Sequence, residues 1–139
     1  NGLPDNPHSL YEQVENAITY TGTHDNDTTL GWFESLDDGA KSWILQQIMP
    51  ISEAQLDQVG LSKKMPWPLI VAGLNTVADT VIVPMQDWLM LDGAHRMNVP
   101  GKPEGNWRWQ FDWSQVPDDL ASKVAVLIRQ AKRCQIQEI

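Results

Sequence analysis

Apolar positions along this chain change their spacing from stretch to stretch, and each spacing predicts an element. Residues 17–21 (Ala-Ile-Thr-Tyr-Thr) and 80–83 (Thr-Val-Ile-Val) are short runs of mainly β-branched and aromatic side chains, which predict two strands. Between them the spacing is helical. Ile44, Leu45 and Ile48 mark one face of a helix over residues 40–49, preceded by Asp37 and Asp38 and ended by Pro50. Ser52 can cap a second short helix over residues 52–59, which Gly60 would stop. Pro66 and Pro68 open a third, with Leu69, Ile70, Gly73, Leu74 and Val77 on its apolar face. The last helix has Pro117 in its first turn, Asp118 and Asp119 at its positive end, and Leu120, Val124, Leu127, Ile128 and Ala131 as a buried stripe. Strands that alternate with helices predict an α/β fold with consecutive βα units of a parallel sheet.

Each strand runs into polar residues. The first continues Tyr20-Thr21-Gly22-Thr23-His24-Asp25-Asn26-Asp27-Thr28-Thr29-Leu30-Gly31-Trp32, where Gly22 lets the backbone turn outward. Catalytic groups in (β/α) barrels sit at the C-terminal ends of parallel strands, so His24, Asp25 and Asp27 are expected to project into a shared cleft. The same letters also fit helix-start chemistry, with Asp27 or Thr28 capping a helix through Phe33, and on local pattern the two readings stand equal. The second strand ends in Pro84-Met85-Gln86-Asp87-Trp88. Gln86 and Asp87 can bond ligand hydroxyls or hold the turn after their strand, and a supporting place behind the site is expected of them.

Charge narrows the partners. The net charge is −8, and the densest basic group, Lys123, Arg129, Lys132 and Arg133, lies within one terminal helical pattern, so nucleic acid is not an expected partner. No apolar run approaches the roughly 20 residues that span a bilayer, so no membrane role is expected. Cys134 is the lone cysteine, in register with Leu127 and Ala131, and is expected to be a structural thiol on the apolar face. No metal is expected at His24, Asp25 and Asp27: a calcium loop needs a central Gly and a terminal bidentate Glu at set intervals, and zinc needs more His or Cys.

A third polar stretch, Arg96-Met97-Asn98-Val99-Pro100-Gly101-Lys102-Pro103-Glu104-Gly105-Asn106-Trp107-Arg108-Trp109, is rich in turn formers and aromatics. At these three stretches the chain resembles the C-terminal part of the 4-α-glucanotransferases (amylomaltase, or disproportionating enzyme) of glycoside hydrolase family seventy-seven. The resemblance runs from about Asn6 to Trp109 and more weakly to the end. It implies the last two βα units of a TIM (β/α)8 barrel, with residues 1–139 forming the C-terminal part of one catalytic domain. The chain opens Asn-Gly-Leu-Pro without an initiator Met and is far shorter than the family, so it is expected to be a fragment and inactive alone. The implied compartment is the cytoplasm, or the plastid in a plant or alga.

The resemblance also implies the chemistry. Glucan transfer with retention uses two carboxyl groups about 5 to 5.5 Å apart, a nucleophile and an acid/base. By the resemblance both lie upstream. Asp25 supplies a third carboxylate that stabilises the transition state, and His24 donates to a neighbouring hydroxyl. Asn98 is the expected substrate-binding amide, since it can donate to and accept from a hydroxyl pair. Arg96 is expected to anchor its loop to a carboxylate. The partners are α-1,4-glucans such as maltodextrins, starch or glycogen, with no cofactor. The alternatives are an α-glucan hydrolase of the α-amylase clan and a noncatalytic carbohydrate-binding module. Against the module stand the long helical patterns, since such modules are usually compact β folds.

Seven Trp accompany two Phe and two Tyr. Trp43 and Trp67 are expected in the core, while for Trp107 and Trp109 core packing and sugar contact both stand open. One stretch departs from the family pattern. Relatives usually carry a Pro-His-Asn-Tyr-like sequence after Asn-Pro, whereas here Asn6-Pro7-His8 continues Ser9-Leu10-Tyr11-Glu12. His8 is therefore not carried over as a site residue, and a shifted substrate preference is open.

Overall fold

Both expected strands form and pair in parallel, β1 (Ile18–Tyr20) beside β2 (Thr80–Ile82), in the register Ile18 to Thr80, Thr19 to Val81 and Tyr20 to Ile82. This is a computed structural model that describes residues 14–134; the Asn6 to Glu12 stretch and His8 lie outside the described residues. Alternation along a strand sends neighbours to opposite faces. Val81 packs into the main core, whereas Ile18, Tyr20 and Ile82 stay 52%, 49% and 42% exposed on the other face.

The helices between the strands are α1 (Thr29–Glu34), α2 (Asp38–Val59) and α3 (Trp67–Leu74). Asp37 caps α2 by accepting from the backbone N–H of Ala40 at 2.8 Å, and Gly60 ends it in the left-handed region at φ 67°. The two short helices expected around Pro50 are in fact one continuous helix, with Pro50 inside it. An interior proline costs about 3 kcal/mol. Here one ridge runs straight through it: Ile48, Ser52 and Leu56 are all buried at four-residue spacing. Stopping the helix at Pro50 would break that ridge in two. The Ser52 hydroxyl donates back to the Ile48 carbonyl at 2.8 Å rather than capping a new helix.

α3 carries the core. Pro66 precedes it, Pro68 lies in its first turn, and Trp67, Ile70, Val71, Ala72 and Leu74 are all buried. Burying an aliphatic or aromatic side chain of this size contributes about 1.5–3 kcal/mol. Val77 falls beyond the helix end and is 59% exposed, not part of its apolar face. Leu56, Trp67, Ile70, Val71, Leu74, Leu120 and Leu127 form one cluster, and Ile48, Met65 and Ala72 a second. After β2 come a single turn, α4 (Met85–Trp88), and a long irregular stretch that leads to α5 (Leu120–Gln130).

The stripe on α5 forms as expected at Leu120 and Leu127, with Val124 and Ala131 against the same core. Its ends are tighter than the pattern indicated. Pro117 lies just before the helix and only accepts from the Leu120 N–H through its carbonyl. Cys134 lies past the last turn and is exposed, because the helix that would have turned it inward stops at Gln130. Trp67 is buried at 3%, but Trp43 is 51% exposed on the outer face of α2. The Arg133 guanidinium donates to the carbonyls of Leu74, Thr76 and Ala78 at 2.6, 2.7 and 2.7 Å, so the end of α5 clamps the connection that feeds β2. On the surface, hydrogen bonds to Glu53 and then Asp57 raise the pKa of Lys63 above its ordinary value.

Candidate active site at the strand ends

The chain leaves β1 at Thr21 and re-enters regular structure at Thr29, and one buried carboxylate ties the two points together. Asp87 accepts from the Thr21 hydroxyl at 2.8 Å, the Thr29 hydroxyl at 2.7 Å and the Thr29 backbone N–H at 3.0 Å. At 2% exposure, with three bonds to Thr21 and Thr29, it holds a turn as the sequence allowed, though the turn belongs to the other strand. Gln86, also buried, donates to the His95 carbonyl at 3.2 Å.

Inside this staple the backbone makes a tight turn. The Asn26 side-chain oxygen accepts from the Thr23 N–H and hydroxyl at 2.8 and 2.9 Å, and the Asn26 N–H returns to the Thr23 carbonyl. Asparagine closes such turns readily through its short amide. His24 and Asp25 sit at the middle of the turn and are pushed toward solvent. Thr28, rather than Asp27, caps α1 by accepting from the Gly31 N–H at 3.1 Å. Asp27 takes the Thr28 N–H at 2.7 Å and packs between two glycines: a Cβ at Gly31 or Gly93 would lie 2.6 or 2.8 Å from its Oδ1.

The stretch after α4 folds back onto this turn. Asn98 donates from Nδ2 to Oδ1 of Asp25 at 2.7 Å, and Nε2 of His24 lies 3.4 Å from the same oxygen. Arg96 donates from Nη2 to the Asp25 backbone carbonyl at 3.2 Å and from Nε to the Asn98 carbonyl at 3.3 Å. The carboxylate partner expected for Arg96 is thus replaced by two carbonyls, since Asn98 already occupies the nearby carboxylate. Asn106 stiffens the loop by accepting from the Val99 N–H and donating to the Lys102 carbonyl. Trp109 donates from its indole N–H to Nδ1 of His95 at 3.2 Å.

A cleft of about 480 Å³ opens here, lined among others by His24, Asp27, Gln86, Asp87, Arg96 and Trp107. His24 and Asp27 face it as expected. Asp25 does not line it, because Asn98 draws its carboxylate toward the loop, where it remains 54% exposed. Among the described residues no group of three His, Cys, Asp or Glu converges as metal ligands would, and no helix is long and apolar enough to cross a membrane. Chemically the arrangement is a carboxylate with one oxygen held by Asn98 and the other without a hydrogen bond among the described residues, beside an imidazole. Such a pair can accept from and donate to adjacent hydroxyls of one ligand.

A family model described as 4-alpha-glucanotransferase matches residues 2–115. The chain belongs to the 4-alpha-glucanotransferase family. It is 37% identical over 126 residues to the chloroplastic/amyloplastic 4-alpha-glucanotransferase DPE1 of Oryza sativa subsp. japonica, covering 91% of this chain and 20% of that protein. It is 33% identical over 123 residues to the 4-alpha-glucanotransferase of Thermus thermophilus, covering 88% of this chain and 23% of that one. The fold is similar to that of the amylomaltase from Streptococcus agalactiae in complex with acarbose, with a TM-score of 0.75 and 25% identity over 94% of this chain and 25% of that one. The chain thus spans about one fifth of the length of the curated relatives it matches, 20% for the rice enzyme.

The sequence reading missed the two threonines that Asp87 joins and the glycine pocket of Asp27. A strand-end Thr and a helix-start Thr carry no mark of a shared partner 66 and 58 residues away. Gly31 sits in a short helix, where glycine is otherwise disfavoured, and that was the available signal.

Proposed function

We propose that residues 1–139 form the C-terminal part of a (β/α)8 barrel, its last two βα units, in a larger 4-α-glucanotransferase acting on α-1,4-glucans. The uncovered apolar face of Ile18, Tyr20 and Ile82 supports the barrel reading, since a sheet face of this kind needs a second layer, here the barrel interior. Other strands would bring the nucleophile and the acid/base to the same end as Asp25.

The observation that carries the functional reading is the anchored carboxylate of Asp25 after β1. With Oδ1 held by Asn98, Oδ2 is left to accept from the hydroxyls of the glucosyl unit at the point of cleavage. Those bonds strengthen as the ring flattens and becomes positive, so they lower the barrier rather than merely tighten binding. His24 donates to a neighbouring hydroxyl. Asn98 offers its own side-chain oxygen to the sugar, but its amide N–H serves to aim Asp25. Asp27, Gln86, Asp87 and Arg96 support this geometry from behind. The enzyme would keep the glucosyl part covalently on the upstream nucleophile and pass it to the 4-hydroxyl of a second glucan. Its compartment would be the cytoplasm, or a plastid as the names of the plant relatives state for those proteins.

Maltotriose tests this reading. With chelator present, the complete enzyme should make glucose and a ladder of longer linear glucans while total reducing ends stay almost constant, because each transfer conserves the number of α-1,4 bonds. A steady rise in reducing ends without longer products would instead show a hydrolase. Unchanged maltotriose would show a binding module.

A further inference from the structure

Trp107 is a large apolar side chain placed where packing and backbone preference both disfavour it. Its φ is +60°, a left-handed conformation that bulky L residues seldom adopt. Its backbone N–H is spent on the Met97 carbonyl at 2.7 Å, which fixes the residue at the mouth of the loop. The side chain nevertheless stays 62% exposed, so core burial does not account for it. Trp109, two residues on, is the contrast: it is partly buried, and its indole N–H is satisfied by His95. The Trp107 ring lies 5.0 Å from the His24 ring, tilted by 45°, and lines the same cleft. A tilt of that size covers only part of the indole and leaves face area open to the cleft. Backbone strain of this kind, held next to candidate catalytic groups, is a mark of functional placement.

We infer that the Trp107 indole is a direct sugar-contacting platform, on which the apolar C–H face of a glucosyl ring rests while its hydroxyls meet His24 in the cleft and Asp25 beside it, whose Oδ1 lies 3.4 Å from the His24 Nε2. This rests on the glucanotransferase reading and adds to it a residue that determines affinity. A glucose ring has hydroxyls around its rim and C–H groups on its faces. An open indole beside a hydrogen-bonding pair meets both kinds of surface, and contacts of this size are worth about tenfold in affinity.

Initial transfer rates on maltotriose test it, with the complete enzyme and its Trp107→Ala, Trp107→Gly and Trp107→Phe variants. Glycine relieves the positive φ, so Trp107→Gly keeps the fold without the ring. Expected are a rise in KM of about tenfold in both Ala and Gly variants, a smaller change in kcat, and recovery to within about threefold by Phe. Equal KM in all four, or a loss confined to kcat that matches His24→Ala, would overturn the platform and make Trp107 at most a support for His24. If the parent enzyme itself gives no longer glucans, the glucanotransferase reading fails first; if it does and KM ignores residue 107, only this inference fails.

Discussion

Asn98 donates a 2.7 Å hydrogen bond to Oδ1 of Asp25 from 73 residues further along the chain, and this bond decides which oxygen of that carboxylate is left for a ligand. Asp25 sits on an exposed turn where an unrestrained carboxylate would rotate about χ2. Two residues of the 96–107 loop restrain it: Arg96 grips the Asp25 carbonyl while Asn98 holds the carboxylate.

Asn98→Leu keeps most of the volume but removes the donor. A hydrogen bond to a charged group is worth about 1.5–3 kcal/mol, and solvent at this exposed site favours the low end, so kcat should fall about tenfold, with a smaller rise in KM from the lost amide oxygen. Steady-state kinetics on maltotriose check this. A rise in KM at unchanged kcat would return Asn98 to the plain substrate-binding role.

Asp87→Ala should act on stability before anything else. It strips three bonds from Thr21 and Thr29, which takes the Asp87 acceptor from the buried Thr29 N–H and the Thr21 hydroxyl and leaves the Thr29 hydroxyl its 3.4 Å bond to the Thr21 carbonyl. A cost of about 3 kcal/mol is expected, seen as a thermal unfolding midpoint several degrees lower. Asp87→Asn should recover most of it, since the hydroxyls can turn to accept from the amide. An Ala variant as stable as the parent would show that the staple is not what joins β1 to α1.

Gly31→Ala sets helix propensity against sterics. Propensity alone favours alanine by about 1 kcal/mol within a helix. The new Cβ, however, would lie 2.7 Å from the backbone nitrogen of Gly93 and 2.6 Å from Asp27 Oδ1, and backbone cannot move aside as a flexible side-chain tip can. Overpacking of this kind costs about 1–3 kcal/mol, so the variant should unfold at lower temperature. Unfolding at the parental temperature or higher would mean that α1 and the 92–95 turn sit further apart than described.

The parts of the molecule that were legible in the sequence are those set by local rules. β-branched runs marked β1 and β2, Asp37 and Gly60 bounded α2, and the stripe on α5 gave its buried face. Pro50 misled because its local penalty is real, while the burial that outweighs it comes from a ridge packed against residues far along the chain. The same holds at the site. His24 and Asp25 could be read from their place after a strand, but the direction of the Asp25 carboxylate depends on Asn98, and the true partners of Asp87 and Arg96 depend on how the later loop folds back. The bulk of the indole points Trp43 to the core and periodicity points Cys134 there, but the structure turns both outward.

Replacing Asp25 with Asn in the complete enzyme is the most direct measurement. The shape is kept, the charge is lost, and the oxygen held by Asn98 can become an amide that repels its donor. Loss of an interaction made in the transition state predicts that kcat for glucan transfer from maltotriose falls by at least about 100-fold, with the thermal unfolding midpoint nearly unchanged. Near-parental turnover, or lost activity accompanied by a collapse in thermal stability, would contradict the account and leave Asp25 a structural residue of an exposed turn.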